Sequence, residues 1–116
     1  MKDTTPTSLD LARSCREFAL DKKAEDVVLL DLRGVSSICD YFLICTGSVE
    51  PHLKAIASSI ETGVKELGYR ARGRDGVTGS HWMVLDYSDV LVHIFRRDTR
   101  TRYALEQLWG DAKQVE

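Results

Sequence analysis

The chain reads WMVLDYSDVLVHIF over residues 82–95, two apolar and β-branched runs that are separated only by Ser88 and Asp89. A two-residue connection is typical of antiparallel strands, so this stretch predicts a β-hairpin. If Ser88 and Asp89 form the whole turn, Tyr87 lies opposite Val90, and the pairing of the remaining residues follows by counting outward.

The predicted register gives the hairpin two unlike faces, because side chains alternate along a strand. One face is apolar and is predicted to join the core, and it carries Met83, Leu85, Tyr87, Val90, Val92 and Ile94. The other, here called the aromatic face, pairs Trp82 with Phe95, Val84 with His93, and Asp86 with Leu91.

The aromatic face admits two interpretations. Trp, Tyr and Arg dominate the energetic centres of protein interfaces, which favours a partner-binding surface that includes Trp82 and Phe95 together with Tyr103 and Arg100 from the following segment. Alternatively, the last predicted helix covers this face and buries both rings beneath Trp109. Aromatic residues are as common in cores as at interfaces, so the residues alone leave both readings open.

The rest of the chain predicts the element order αββαβββα. Periodicity indicates a first helix after Ser8 that ends near Lys22, and a second helix that Ser48 caps, with Pro51 in its first turn, and that Gly68 ends. A final helix is predicted from about residue 98, followed by a frayed tail after Gly110. Further strands are predicted over residues 27–32, 41–46 and 69–72, which brings the total to five with the hairpin.

The strand–helix–strand unit over residues 41–72 predicts a parallel pair, and the hairpin predicts an antiparallel pair. We therefore expect an α/β fold with a mixed sheet of about five strands flanked by helices. A length of 116 residues with 43% hydrophobic and 29% charged residues suits one globular domain over residues 1–116, with its core over about residues 9–112.

No signal peptide or membrane-spanning run is apparent, so the expected location is cytoplasmic. Three scattered cysteines are expected to be core thiols.

Charge is segregated along the chain although the net charge is only −2. Every basic residue between positions 69 and 103 is arginine, namely Arg70, Arg72, Arg74, Arg96, Arg97, Arg100 and Arg102. Guanidinium groups bind phosphate and stack on planar rings, so one hypothesis is an RNA-binding domain that acts through the segment 70–102. The alternative is a solvated face with local ion pairs.

Motifs for catalysis are incomplete in this sequence. The glycines at 73, 76 and 79 lack the spacing of a phosphate-binding loop, and no histidine or cysteine pair has metal-ligand spacing. Gly47-Ser48 is similar to the start of a nucleotidyltransferase site, but no Asp-x-Asp follows to hold two metal ions. An Asp86/His93 dyad has no nucleophile near it in the predicted register. We therefore expect no enzyme activity, no metal and no cofactor.

Taken together and in order, several short motifs resemble the ribosomal silencing factor S family, also called Iojap-like, from about residue 11 to residue 112. Two departures from the family pattern are Asp75-Gly76, where Glu-Gly is usual, and Ser88, where the hairpin turn usually has glycine. The motifs that carry the resemblance are Asp40-Tyr41-Phe42, Thr46-Gly47-Ser48, WMVLD at 82–86, VHIF at 92–95 and RTRYxLExLW at 100–109.

The resemblance implies a nucleotidyltransferase-like topology without the catalytic acids, and a factor that is not an enzyme. It implies docking on the large ribosomal subunit at its fourteenth protein, steric blocking of the small subunit, and repression of translation when nutrients are scarce. It also implies a homodimer when free, with minor ribosomal RNA contact through arginines possible. The partner-binding residues that it implies are Trp82, Val84, Asp86, Leu91, His93, Phe95, Arg100 and Tyr103.

Overall fold

The computed structural model describes residues 8–35, 39–69, 73–75, 82–97 and 113–115, without the side chains of residues 74 and 75. The described part forms one mixed sheet with two helices against it. In chain order the elements are α1 (Ser8–Asp21), β1 (Glu25–Asp31), β2 (Tyr41–Gly47), α2 (Glu50–Glu66), β3 (Gly73–Asp75), β4 (Trp82–Asp86), β5 (Val90–Arg96) and β6 (Lys113–Gln114).

The strands lie in the order β3-β4-β5-β2-β1-β6, so β2 and β5 occupy the middle of the sheet. The pair β2/β5 is parallel, and the other pairs are antiparallel. All seven residues of β2 are buried, as expected for a central strand that is covered on both faces. The α/β class and the mixed sheet predicted from the sequence are therefore confirmed.

The predicted parallel partner of β2 was wrong. The sequence suggested that β2 pairs with the strand directly after α2, but that strand, β3, pairs antiparallel with β4 at the edge of the sheet. The parallel partner is β5, with Tyr41 opposite Val90 and Gly47 opposite Arg96. The longer, more apolar β5 takes the central position because it can bury side chains on both faces, whereas β3 has three residues.

Two strand boundaries also differ from the prediction. The third strand is described over residues 73–75, whereas Tyr69, where the predicted strand began, follows the end of α2, and its N–H donates to the carbonyl of Val64; residues 70–72 lie outside the described residues. The tail that was expected to fray contains β6, in which Lys113 pairs with Asp31 of β1. Val115 continues this contact, because its N–H donates to the carbonyl of Leu29 at 2.7 Å. The predicted final helix lies outside the described residues.

Both helices pack on the same side of the sheet. Their buried hydrophobic side chains all belong to one core cluster with Leu43, Val92 and Leu85 of the strands. The helices contact each other where Phe18 of α1 lies over Gly63 of α2. The Ser59 hydroxyl donates to the carbonyl of Phe18 at 2.9 Å beside this contact.

The start of α2 is held differently from the prediction. Val49 is the N-cap residue and no side chain caps it, so the expected Ser48 cap was wrong, although Pro51 does lie in the first turn. The N–H of Ser48 instead donates to Nδ1 of His52 at 2.9 Å, and Nε2 of His52 lies 2.7 Å from the carbonyl of Lys22. Because Nδ1 accepts, Nε2 carries the proton and donates. His52 therefore links the start of α2 to the residue that follows the end of α1.

At the other end, α2 is followed by Gly68 with φ +98°, the left-handed conformation that glycine adopts at low cost, as predicted.

Neither described helix combines the length and the apolarity that a bilayer crossing needs.

Candidate functional site

The hairpin has the register that the sequence predicts. Leu85 lies opposite Val92, and the N–H of Tyr87 donates to the carbonyl of Val90 at 2.9 Å. The apolar face joins the core beneath the helices. The three pairs of the aromatic face are present as predicted, Trp82 with Phe95, Val84 with His93 and Asp86 with Leu91.

The aromatic face lies on the side of the sheet away from α1 and α2. A second apolar cluster covers this side, built from β1, β2 and β5 around Phe42, Ile44 and Phe95. Trp82, Val84, Asp86 and Leu91 are each partly exposed, whereas His93 is 6% exposed and Phe95 is fully buried. The partly exposed residues can touch a partner directly, while His93 and Phe95 support them from below.

Trp82 is oriented by a hydrogen bond across the hairpin. Its indole Nε1–H donates to Nδ1 of His93 at 3.2 Å. Indole nitrogen is only a donor, so Nδ1 of His93 must be unprotonated and the proton of the neutral ring lies on Nε2. That Nε2–H is buried and has no hydrogen-bond partner among the described residues. An unsatisfied buried donor costs about 1–3 kcal/mol. Packing alone therefore does not explain why a polar side chain, His93, occupies this buried position.

Ring contacts fix the same residues. The rings of Trp82 and Phe95 stack with centroids 5.1 Å apart, and those of His93 and Phe95 stack at 6.2 Å. Phe42 of β2 meets His93 edge to face at 4.6 Å. Each such pair contributes about 0.5–1.5 kcal/mol beyond its buried area, so Trp82 is held in one orientation before any partner arrives.

Burial keeps the imidazole neutral at physiological pH. Loss of solvation lowers the pKa of His93 to about 4, from its ordinary value of 6.5. The ring therefore accepts the Trp82 hydrogen bond throughout the neutral pH range, because the bond needs an unprotonated Nδ1.

Asp86 has a structural role at the hairpin turn. Its Oδ1 accepts the N–H of Ser88 at 2.8 Å, an Asx-type contact that stabilises the turn. Ser88 has φ +74°, in the left-handed region. Glycine adopts this conformation without strain, so the structure is compatible with the glycine that the resemblance leads us to expect at this position.

Two of the predicted binding residues, Arg100 and Tyr103, lie outside the described residues, as does Trp109. Of the arginine block, Arg97 is exposed and pairs with Glu25 at the start of β1, which fits the prediction of local ion pairs for this residue. Phe42 was missed by the sequence reasoning. The signal was present in the apolar run of β2, but only the parallel register with β5 brings Phe42 to His93.

Two of the buried cysteines are poor nucleophiles. Burial raises the pKa of the Cys15 thiol to about 12 and that of Cys39 to about 11, so both stay protonated and unreactive at neutral pH. No group of three or more potential ligands that could hold a metal ion was found among the described residues.

Comparison with known proteins identifies the family. Residues 5–116 match the family model described as ribosomal silencing factor during starvation. The chain belongs to the ribosomal silencing factor family. A ribosomal silencing factor of Halalkalibacterium halodurans is 45% identical over 96 residues, which cover 83% of this chain and 82% of the relative. That of Bacillus subtilis is 44% identical over 92 residues, which cover 79% of this chain and 78% of the relative.

Solved structures agree with this family assignment. A crystal structure of a Chromobacterium violaceum protein superposes with a TM-score of 0.87 at 28% identity, covering 90% of this chain and 88% of that one. The mixed α/β fold is therefore shared with an experimentally determined structure.

Proposed function

We propose that this protein silences ribosomes: it binds the large ribosomal subunit at its fourteenth protein and sterically blocks joining of the small subunit, which represses translation under nutrient limitation. Membership of the ribosomal silencing factor family supports the ribosomal role. The aromatic face is our candidate for the docking surface.

The observation that carries this proposal is the fixed, partly exposed indole of Trp82. The ring is bonded to His93 and stacked on Phe95, so binding costs little side-chain entropy. Val84 provides partly exposed apolar surface at the next position on the same face. Leu91 and Asp86 form the pair nearest the turn and add a partly exposed apolar group and an acid. A large anchored ring with apolar neighbours and a polar margin is the composition typical of a binding hot spot.

The layered fold supports a steric mechanism. Because α1 and α2 lie on the opposite side of the sheet, docking through the aromatic face leaves the helical layer projecting from the ribosomal protein. A bound protein of this size needs no chemistry to prevent another subunit from approaching. This explanation requires neither a cofactor nor a catalytic group.

Calorimetric titration of the isolated fourteenth protein with this protein tests the docking residue. We expect Trp82→Ala to weaken binding at least about thirtyfold, since hot-spot truncations cost roughly 2 kcal/mol or more. Leu91→Lys is a second variant that removes less packing from the fold, and it should also weaken binding.

Leu67→Ala is the matched control, because Leu67 is an exposed hydrophobic residue at the end of α2, on the helical layer. Its affinity should equal that of the unmodified protein. If Trp82→Ala and Leu91→Lys both remain folded and bind normally, the aromatic face is not the docking surface.

A further inference from the structure

A cleft at the opposite edge of the sheet from β3 has features of a binding site that the docking proposal does not use. It has a volume of about 380 Å³ and is lined by Asp31, Arg33, Val35 and Lys113; it is called here the Arg33 cleft. Lys113 of β6 lies directly opposite Asp31 of β1 in the sheet. The cleft is separated from the hairpin by β2, so it can be occupied while the aromatic face is docked.

The guanidinium of Arg33 is held in place although it is largely exposed. Its Nε and Nη2 donate to the two carboxylate oxygens of Asp31 at 3.0 and 2.9 Å, and its backbone N–H also donates to Oδ1. The guanidinium carbon lies 5.3 Å from the centroid of the Tyr41 ring, within the range of a cation–π contact. Even so, 59% of the Arg33 side chain is exposed.

The contacts of Arg33 with Asp31 and Tyr41 restrict the chemical groups that a ligand can place against the guanidinium. Asp31 already occupies the edge of the guanidinium that would bind a carboxylate through two hydrogen bonds. What remains is Nη1 and the face of the guanidinium that is turned away from Tyr41, which suits stacking of a planar ring. Lys113 adds a flexible positive charge beside it, and the exposed Val35 adds apolar surface.

We propose that the Arg33 cleft binds single-stranded RNA, with one base stacked on the Arg33 guanidinium and an adjacent phosphate at Lys113. Bases stack on arginine planes in RNA complexes. Asp31 is the acid that pairs with Arg33, so Lys113 is the lining cation that we assign to the phosphate. An open cleft suits a strand that continues past it better than a small ligand, which needs enclosure. The inference extends the proposed function, since RNA is the neighbour that a ribosome supplies.

The test is an NMR titration of the ¹⁵N-labelled full chain with a short single-stranded oligoribonucleotide at low salt. The Arg33 Nε–H is hydrogen-bonded and gives its own signal, so a stacked base should shift it together with the amides from Asp31 to Val35. Arg33→Lys keeps the charge but loses the plane, and we expect at least about fivefold weaker binding, the lower limit for one stacked base.

Lys113→Ala should reduce the magnitude of the salt-dependence slope by about 0.7, the value for one phosphate contact on a single strand. Lys65→Ala is the control, because Lys65 is an exposed lysine in the last turn of α2, away from the cleft. Unchanged binding by Arg33→Lys, or shifts confined to other surfaces, would overturn the proposal. An acidic peptide that shifts the Arg33 signal as strongly as RNA would also overturn it. This titration contains no ribosomal protein, so its failure is distinct from failure of docking through Trp82.

Discussion

At the scale of single residues, His93 connects the packing of the aromatic face to its orientation. Its Nδ1 accepts the Trp82 hydrogen bond, while its Nε2–H has no partner among the described residues and the ring lies against Phe42 and Phe95. Gaining a proton would break the hydrogen bond and place a charge among Phe42 and Phe95. The residue that orients Trp82 is therefore also one whose protonation opposes folding.

The pH dependence of stability tests this role of His93. The pKa is about 4 in the folded protein and about 6.5 when unfolded, so below pH 6.5 the unfolded chain takes up a proton that the folded protein does not. Stability should therefore fall as the pH falls from about 6.5 to about 4, with a contribution of about 3 kcal/mol from this residue.

His93→Gln removes the titrating group and keeps an oxygen that can accept the indole N–H. Urea unfolding followed by circular dichroism should show that the unmodified protein loses about 3 kcal/mol more than the variant between pH 7 and pH 4. Titration of the carboxylates is common to both proteins and cancels in this comparison. Parallel pH profiles for the two would show that His93 is not buried and neutral as described.

At the scale of elements, the contact between α1 and α2 depends on a missing side chain. A Cβ at Gly63 would lie 2.4–2.5 Å from three atoms of the Phe18 ring, far closer than carbon atoms can approach. Gly63 thus gives up helix propensity so that the ring can lie against the helix backbone. This packing holds the helical layer that is distant from the aromatic face.

We expect Gly63→Ala to destabilise the protein by about 1–2 kcal/mol, because the steric cost exceeds the gain of about 1 kcal/mol in helix propensity. Thr62→Ala, at the exposed neighbouring position, should be neutral or slightly stabilising. In the Phe18→Leu background the penalty of Gly63→Ala should shrink, which a thermodynamic cycle from chemical denaturation would measure. A Gly63→Ala protein as stable as Thr62→Ala would contradict the described helix contact.

The elements differ in how far the sequence determines them. The hairpin register was predictable because Ser88 and Asp89 leave one way to pair the alternating runs. The parallel partner of β2 was not, because neighbours along the chain need not be neighbours in the sheet. β6 was missed because two residues, Lys113 and Gln114, carry no periodic pattern and are placed by β1.

Only part of the candidate site was predictable from the sequence. Alternation along the strands placed Trp82 and His93 on one face, but burial depends on what packs above that face. The full burial of Phe95, and the contact of Phe42 with His93, therefore could not be read from the hairpin alone. The cleft at Arg33 also escaped prediction, because Lys113 reaches it from the other end of the sequence and Tyr41 from the neighbouring strand.

At the scale of the whole molecule, the fold separates three surfaces. The aromatic face lies on one side of the sheet, the helical layer on the other, and the Arg33 cleft at the edge formed by β1 and β6. A protein that docks through the first surface turns the second outward. The homodimer implied by the family resemblance stays a prediction.

The central claim is that this protein prevents ribosomal subunits from joining through its aromatic face. The most direct measurement is sedimentation of purified large and small subunits with the unmodified protein, with Trp82→Ala, and with Leu67→Ala. We predict that the unmodified protein and Leu67→Ala travel with the large subunit and reduce the joined particles, while Trp82→Ala does neither. Undiminished joining in the presence of the unmodified protein would contradict the account.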